Sequence, residues 1–407
     1  MKTKKFLSMA ALALVGAMMT GCSSDDDNLQ PENKNNVVTL TATVGFDDAA
    51  STRAVTGTGT KTFAVDDQVV LFYKDGKGIS RRVVSSALTP GDITNEGKKA
   101  NLTFDVSAAL PATDGAIRYV YPANMASTND DSEFDLDDEH TIDFSKLNNQ
   151  DGTLTTLGSS LDLCVFDGNF SGTNLPASAT LTNQLAILAI NLKNTTDITS
   201  TINGMTVSDG TNTYTVSRSA AAGPIYVAIQ PTSSATIYVT ATDGTNEYGK
   251  VLASKTYEAD NGYPVTWNMS ELEKVVWNTT NVFNSSHEIT IDKDYTTATF
   301  ENVTISFTGS GAASHFYLYH NTLGSQLFVN GSQGGAFTFT APSGKIFTKI
   351  EIINSVQVTF TPYGDWTKPA NNKIMWSGAA SSTVTLAASG FVNCPNVTSI
   401  VYTMMNE

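Results

Sequence analysis

Apolar and polar residues alternate along most of this chain in short runs, punctuated by Gly, Asp, Asn and Pro. Val37 to Val44 sets the pattern, its apolar positions spaced by threonines, the two-residue period of a strand buried on one face. Phe63 to Tyr73, Asn101 to Val106 and Ala116 to Tyr121 read as further strands, and the Asp75-Gly76 pair in Lys74 to Gly78 suits a hairpin turn. After Ala179 to Thr182 comes a continuous apolar run, Leu185 to Leu192, which predicts a strand buried on both faces. Ile202 to Val207, Thr213 to Val216, Ile225 to Ile229, Thr236 to Thr242 and Tyr248 to Leu252 follow at spacings of about ten residues, the rhythm of an antiparallel sandwich. A last series covers Ala298 to Phe307, Ser314 to Tyr319, Ala336 to Thr340, Thr348 to Ile353, Val356 to Phe360, Thr383 to Leu386 and Thr398 to Thr403. The expected fold is all-β, as tandem antiparallel β-sandwiches: residues 37–155, 156–275 and a jelly-roll-like module at 276–407.

The first residues follow another pattern. Lys2, Lys4 and Lys5 precede an apolar run from Phe6 to Met19, which ends in Met19-Thr20-Gly21-Cys22. A positive start, an apolar middle and small residues at a cut site predict a secretory signal over 1–21. The cysteine at the cut makes it a lipoprotein signal, with the acyl chains on Cys22. The alternative, an uncleaved anchor, meets the difficulty that a membrane-spanning helix needs about 20 apolar residues. Ser23 to Asp27 is small and acidic, and residues 22–36 hold little to bury, so they read as a disordered acidic tether. The acidic run also resembles the surface-export signal of Bacteroidetes lipoproteins, which implies the outer face of the outer membrane.

Charge narrows the partners. The chain has 24 basic and 39 acidic residues; without the three signal lysines, 21 basic residues remain. That balance excludes a nucleic-acid partner, whose phosphates need a basic face. Beyond Cys22 only Cys164 and Cys394 remain, in different expected domains, and they read as buried thiols rather than a bridge. No Cys/His cluster or HExxH is present, so neither a metal site nor another cofactor is expected. The acidic stretch Asn129 to Glu139 has either calcium-like oxygen spacing or the character of a plain acidic loop, and it lacks the EF-hand arrangement.

Several segments together resemble the fimbrillin family of pilus subunits from Bacteroidetes. They are, in order, the lipidation motif, the strand Val37 to Val44, Ser51-Thr52-Arg53-Ala54, and Phe63-Ala64-Val65-Asp66-Asp67-Gln68-Val69. Leu185 to Leu192, Tyr226-Val227-Ala228-Ile229-Gln230-Pro231 and Val239 to Tyr248 continue the series. The resemblance covers residues 1 to 275. It implies a pilus subunit assembled by strand addition with other subunits, after a trypsin-like protease removes the first strand. On that reading the cut falls between Arg53 and Ala54; the plainer alternative is an ordinary loop arginine. The extra module at 276–407 implies a tip or accessory subunit.

Catalytic chemistry has little support. There is no GxSxG elbow, and the scattered carboxylates from Glu288 to Asp365 show no pairing of the kind glycoside hydrolysis needs. No enzyme activity is expected. Binding is better supported, because 276–407 carries Trp277, Trp366 and Trp376 and no arginine. Tyr363, Asp365 and Trp366, with Asn371, Asn372 and Trp376, mix aromatic faces and hydrogen-bonding groups near expected loops. They could hold a host or microbial glycan or protein ligand; for each tryptophan taken singly, a core position is the favoured alternative. The leading reading is a surface pilus subunit with an adhesive module. The alternative is a surface glycan-binding lipoprotein that never polymerises.

Overall fold

The structure, a computed structural model, describes residues 37–46, 61–107, 110–128, 133–219, 221–278, 294–295, 297–309, 316–321, 324–329, 335–355, 357–358, 360–387 and 397–407. Cys22, Arg53, Ala54 and Cys394 lie outside them. The described chain is all-β and its sheets form three units, the first two interleaved in sequence: Asn149–Gln150 joins the sheet of the second, while the later Cys164–Asn169 and Ala179–Asn183 join that of the first.

The first unit is one eight-stranded sheet. Its order is Ser80–Val84, Val70–Lys74, Ala116–Tyr121, Cys164–Asn169, Ala179–Asn183, Val37–Phe46, Lys99–Ser107 and Ile93–Thr94. The sheet curls so that its two halves face each other. Phe104 and Tyr119, on strands four places apart in that order, stack with ring centroids 5.8 Å apart. Leu40, Ala42, Val44, Leu71, Tyr73, Leu102 and Leu181 share this core. Val70, Phe72 and Val120 point to the opposite face and join the core of the second unit. Strand membership runs to Asn183, past the boundary expected at 155, because Cys164–Asn169 and Ala179–Asn183 pair with partners far away in sequence.

The second unit packs a three-stranded sheet, Ile225–Ile229, Ala186–Lys193 and Asn261–Asn268, on a six-stranded one. Ala186–Lys193 is central and buried along nearly its whole length, as its unbroken apolar run requires. In the six-stranded sheet Met205, Val207, Tyr214, Val216, Ile237 and Val239 turn inward. The alternate positions, rich in threonine, turn outward.

The third unit begins at Glu273–Asn278, which pairs with the last strand, Val397–Asn406. That strand also pairs with Lys345–Asn354. A four-stranded sheet, Thr297–Phe300, Val303–Gly309, Gly335–Thr340 and Thr383–Ala387, closes the sandwich. The single strand expected over Ala298 to Phe307 is a hairpin. Its turn residues Glu301 and Asn302 have φ of 48° and 61°, the left-handed values that a tight two-residue hairpin turn demands. Trp277, Phe339, Phe347 and Tyr402 fill the centre.

Candidate functional site

The first strand occupies a slot inside the first sheet. Val37 to Gly45 run antiparallel to Ser107 to Lys99, whereas only Val44 to Phe46 pair, in parallel, with Ala179 to Leu181. The sequence explains the fit. Leu40, Ala42, Val44 and Phe46 face inward, and the intervening threonines face out, where Thr39 and Thr43 donate to Asp105 and Asn101, each at 2.9 Å. Without this strand the neighbouring strands would show unpaired backbone groups beside an apolar trough.

Both ends of segment 47–60 meet at one place. Phe46 stacks on Phe63 at 4.3 Å and tilts against Tyr121 at 5.5 Å. Lys61 lies over the same rings, its Nζ 5.4 Å from the Phe46 centroid and 4.7 Å from that of Tyr121. The Lys61 ammonium is bonded to Asp162, through its backbone oxygen and at 3.1 Å through its carboxylate. The residues on either side of the segment that carries Arg53 and Ala54, Phe46 and Lys61, therefore meet at one aromatic platform. A cut within the segment would leave the strand held by non-covalent contacts alone.

The other arginines are engaged. Arg81 forks onto Asp75 at 2.8 and 3.0 Å, Arg82 donates to the Ser127 oxygen at 2.8 Å, Arg118 is buried against Asp138, and Arg218 donates to the Ala221 oxygen at 2.6 Å. The acidic stretch is similarly employed where it is described. Asp137 caps a short helix through the His140 N–H at 3.0 Å, and Asp135 pairs with Lys74 at 3.4 Å. No cluster of metal-ligating side chains occurs among the described residues. Cys164 is a buried free thiol, pushed up to about 12 by burial.

The six residues expected to bind a ligand divide. Trp366 and Trp376 are register partners in one hairpin and only 2% and 6% exposed. The Trp366 indole N–H donates to the Thr385 oxygen at 2.9 Å. Both rings are core, which corrects their reading as ligand platforms: a sugar cannot stack on a face already packed. Tyr363, Asp365, Asn371 and Asn372 are exposed. Tyr363 accepts from the Ala387 N–H at 2.6 Å. Asn371 and Asn372 form the hairpin tip, six and seven residues from Asp365, or about 20 Å along a strand. These four residues are not brought together.

Periodicity did not single out a cleft between the second and third units. It measures about 420 Å³. Thr215, Thr206 and Thr240, register partners on adjacent strands, form its floor, and the loop 377–380 overhangs it. Asp365 touches this edge, its carboxylate lying against the bare face of Gly378. At one end Lys349 and Lys274 bind Glu247 at 2.8 and 3.0 Å. Burial opposes the charge on Glu247, but the two ammoniums prevail and hold it below the usual carboxylate range.

No family profile and no curated protein matches the chain. Among solved structures it is similar to a fimbrial assembly protein from Parabacteroides distasonis, at 10% identity and a TM-score of 0.34, over 58% of this chain and 94% of that one. It is also similar to a candidate cell adhesion protein from Bacteroides ovatus, at 12% identity and 0.33, over 59% and 97%. Another, from Bacteroides uniformis, is 16% identical with a TM-score of 0.29, over 60% and 97%. Likenesses of this size carry no functional inference. Among the described residues no helix is long and apolar enough to cross a membrane.

Proposed function

We propose that this chain is a surface-exposed lipoprotein subunit of a pilus, held at the outer membrane through Cys22 and built into a filament by strand addition. One observation carries the reading. The first strand sits inside its sheet, yet it joins the rest of the fold only through segment 47–60, whose two ends meet at Phe46 and Lys61. A cut after Arg53 would sever the covalent link between the strand and the chain that follows it. The emptied slot would bind an extended strand from a neighbour, and a head-to-tail contact that does not close grows as a filament. The third unit supports a tip or accessory place, because its last strand is paired on both edges within its own sheet.

A disulfide lock tests the mechanism. Val44 and Ala100 are register partners, so Val44→Cys with Ala100→Cys would fix the strand in place. After digestion with an arginine-specific protease, the slot of the unaltered chain should take up a labelled synthetic peptide with the sequence of Val37 to Phe46. The oxidised variant should take up none until it is reduced. Equal uptake by the oxidised variant would contradict strand replacement. The anchor has its own test: Cys22→Ala should abolish labelling by a radioactive fatty acid, and undiminished label would remove the lipoprotein reading.

The hydroxyl-lined cleft favours a second reading, a surface protein that captures a glycan without polymerising. Thr206→Leu would block the cleft floor and should abolish binding on a glycan array; binding unchanged by that variant would exclude the cleft.

A further inference from the structure

Beside the slot, one buried and two half-buried polar side chains form an arrangement that strand addition does not use. The Asp162 carboxylate bridges an amine and an amide. Its Oδ2 holds the Lys61 ammonium at 3.1 Å, and its Oδ1 accepts from the side-chain amide nitrogen of Asn183. The Asn183 carbonyl, in turn, accepts the Leu185 backbone N–H at 2.7 Å. All three groups are shielded: the Lys61 and Asp162 side chains are 9% and 15% exposed, and Asn183 is 7% exposed. The rings of Phe46 and Tyr121 cover the amine.

These are the parts of an intramolecular transamidation: a nucleophile, an amide carbon, a carboxylate able to carry protons between the two nitrogens, and a donor on the amide oxygen. The geometry points to a self-formed isopeptide bond between Lys61 Nζ and Asn183 Cγ. Asp162 takes a proton from the ammonium, and the freed lone pair of Nζ attacks Cγ. Negative charge develops on Oδ1, where the Leu185 N–H already points; a pre-aimed donor of this kind stabilises such a tetrahedral state strongly. Two protons in all leave Nζ and pass by way of Asp162 to Nδ2. The Cγ–Nδ2 bond breaks and the nitrogen departs as ammonium. One C–N bond forms, one breaks, and nothing is oxidised or reduced. Partial burial limits water around the amine, and one carboxylate holds both nitrogens, Nζ on Oδ2 and Nδ2 on Oδ1, so that a shift of the Lys61 side chain towards Asn183 would bring Nζ to Cγ without a cofactor.

The bond would join the residue that follows segment 47–60 to the strand Ala179–Asn183, the parallel neighbour of the first strand. It would therefore fasten the new chain start at the slot after a cut at Arg53, although it forms whether or not that cut occurs.

Intact mass spectrometry of the full chain, followed by peptide mapping, tests the bond. The purified protein should be lighter than its sequence by one molecule of ammonia, with peptides containing Lys61 and Asn183 recovered as one branched species. Lys61→Met and Asp162→Asn should each restore the full mass and the two linear peptides. An unaltered protein at full mass with both peptides linear overturns the proposal, whatever the variants do. Loss of ammonia persisting in Lys61→Met also overturns it, because the ammonia would then come from another site.

Discussion

The strand Val37–Phe46 is bonded along one edge from Val37 to Gly45, but along the other only from Val44 to Phe46. The strand Val397–Asn406 is flanked by Lys345–Asn354 on one side and by Glu273–Asn278 on the other. Their side chains differ in the same sense. The first alternates apolar with exposed threonine, so it buries one face. The last buries Tyr402, Thr403, Met404 and Met405 in succession and is enclosed on both faces over that stretch. A strand held mainly by backbone bonds and one apolar face can be replaced by any chain with the same alternation. One packed on both faces cannot leave without dismantling its domain. The contrast separates a replaceable element from a permanent one.

The largest effect should come from the permanent side. Trp366→Ala or Trp376→Ala should cost about 3–5 kcal/mol of stability in the third unit, the usual penalty for emptying a packed aromatic site. Asn371→Ala and Asn372→Ala at the hairpin tip should stay within about 0.5 kcal/mol. Thermal melts of the full chain distinguish them, and a tryptophan variant melting normally would break the core assignment.

On the replaceable side, Phe46→Ala removes the stack on Phe63 and should cost about 3 kcal/mol, concentrated in the first sheet. Hydrogen exchange should show Val37 to Gly45 opening faster while Val397 to Asn406 keeps its protection. Equal loosening of both strands would erase the contrast.

A smaller effect belongs to the outward threonines. Thr39→Val and Thr43→Val remove exposed hydrogen bonds to Asp105 and Asn101, worth about 0.5–1 kcal/mol each. Chemical denaturation should find this small loss without altered assembly.

The smallest concerns a turn outside both strands. The Asn246 backbone N–H, then its side-chain amide and the Thr245 N–H, bond the Asp243 carboxylate and lower its pKa to about 2. A carboxyl group depressed in this way adds stability above its unfolded value of 3.8, and that stability is lost as pH falls towards about 2. Asp243→Asn should remove this acid-side dependence and leave the rest of the pH profile intact. A carboxyl resonance of Asp243 titrating near 4 would contradict the assignment.

Much of the fold was legible because strands of this kind write their burial into alternate positions. Val37 to Val44 and Leu185 to Leu192 were both readable, one as half-buried and one as fully buried. What pairing imposes was not. The membership of Cys164–Asn169 and Ala179–Asn183 in the first sheet depends on partners far off in sequence, and the turn at Glu301-Asn302 hides inside an unbroken β-prone run. At the candidate site, Arg53 could be singled out by its place after the first strand. Trp366 and Trp376 could not be sorted between core and surface, since burial of a single aromatic leaves no mark in its neighbours. Lys61, Asp162 and Asn183 were invisible as a group, because no spacing rule joins residues brought together only by a curled sheet.

Limited digestion of the full chain with an arginine-specific protease, with N-terminal sequencing of the first stable product, tests the replaceable strand most directly. The account predicts a first cut after Arg53 and a product beginning at Ala54, with Arg81, Arg82, Arg118 and Arg218 resisting behind their ion pairs, backbone contacts and burial. A first product beginning after Arg118 or Arg218, with the bond after Arg53 intact, would contradict it.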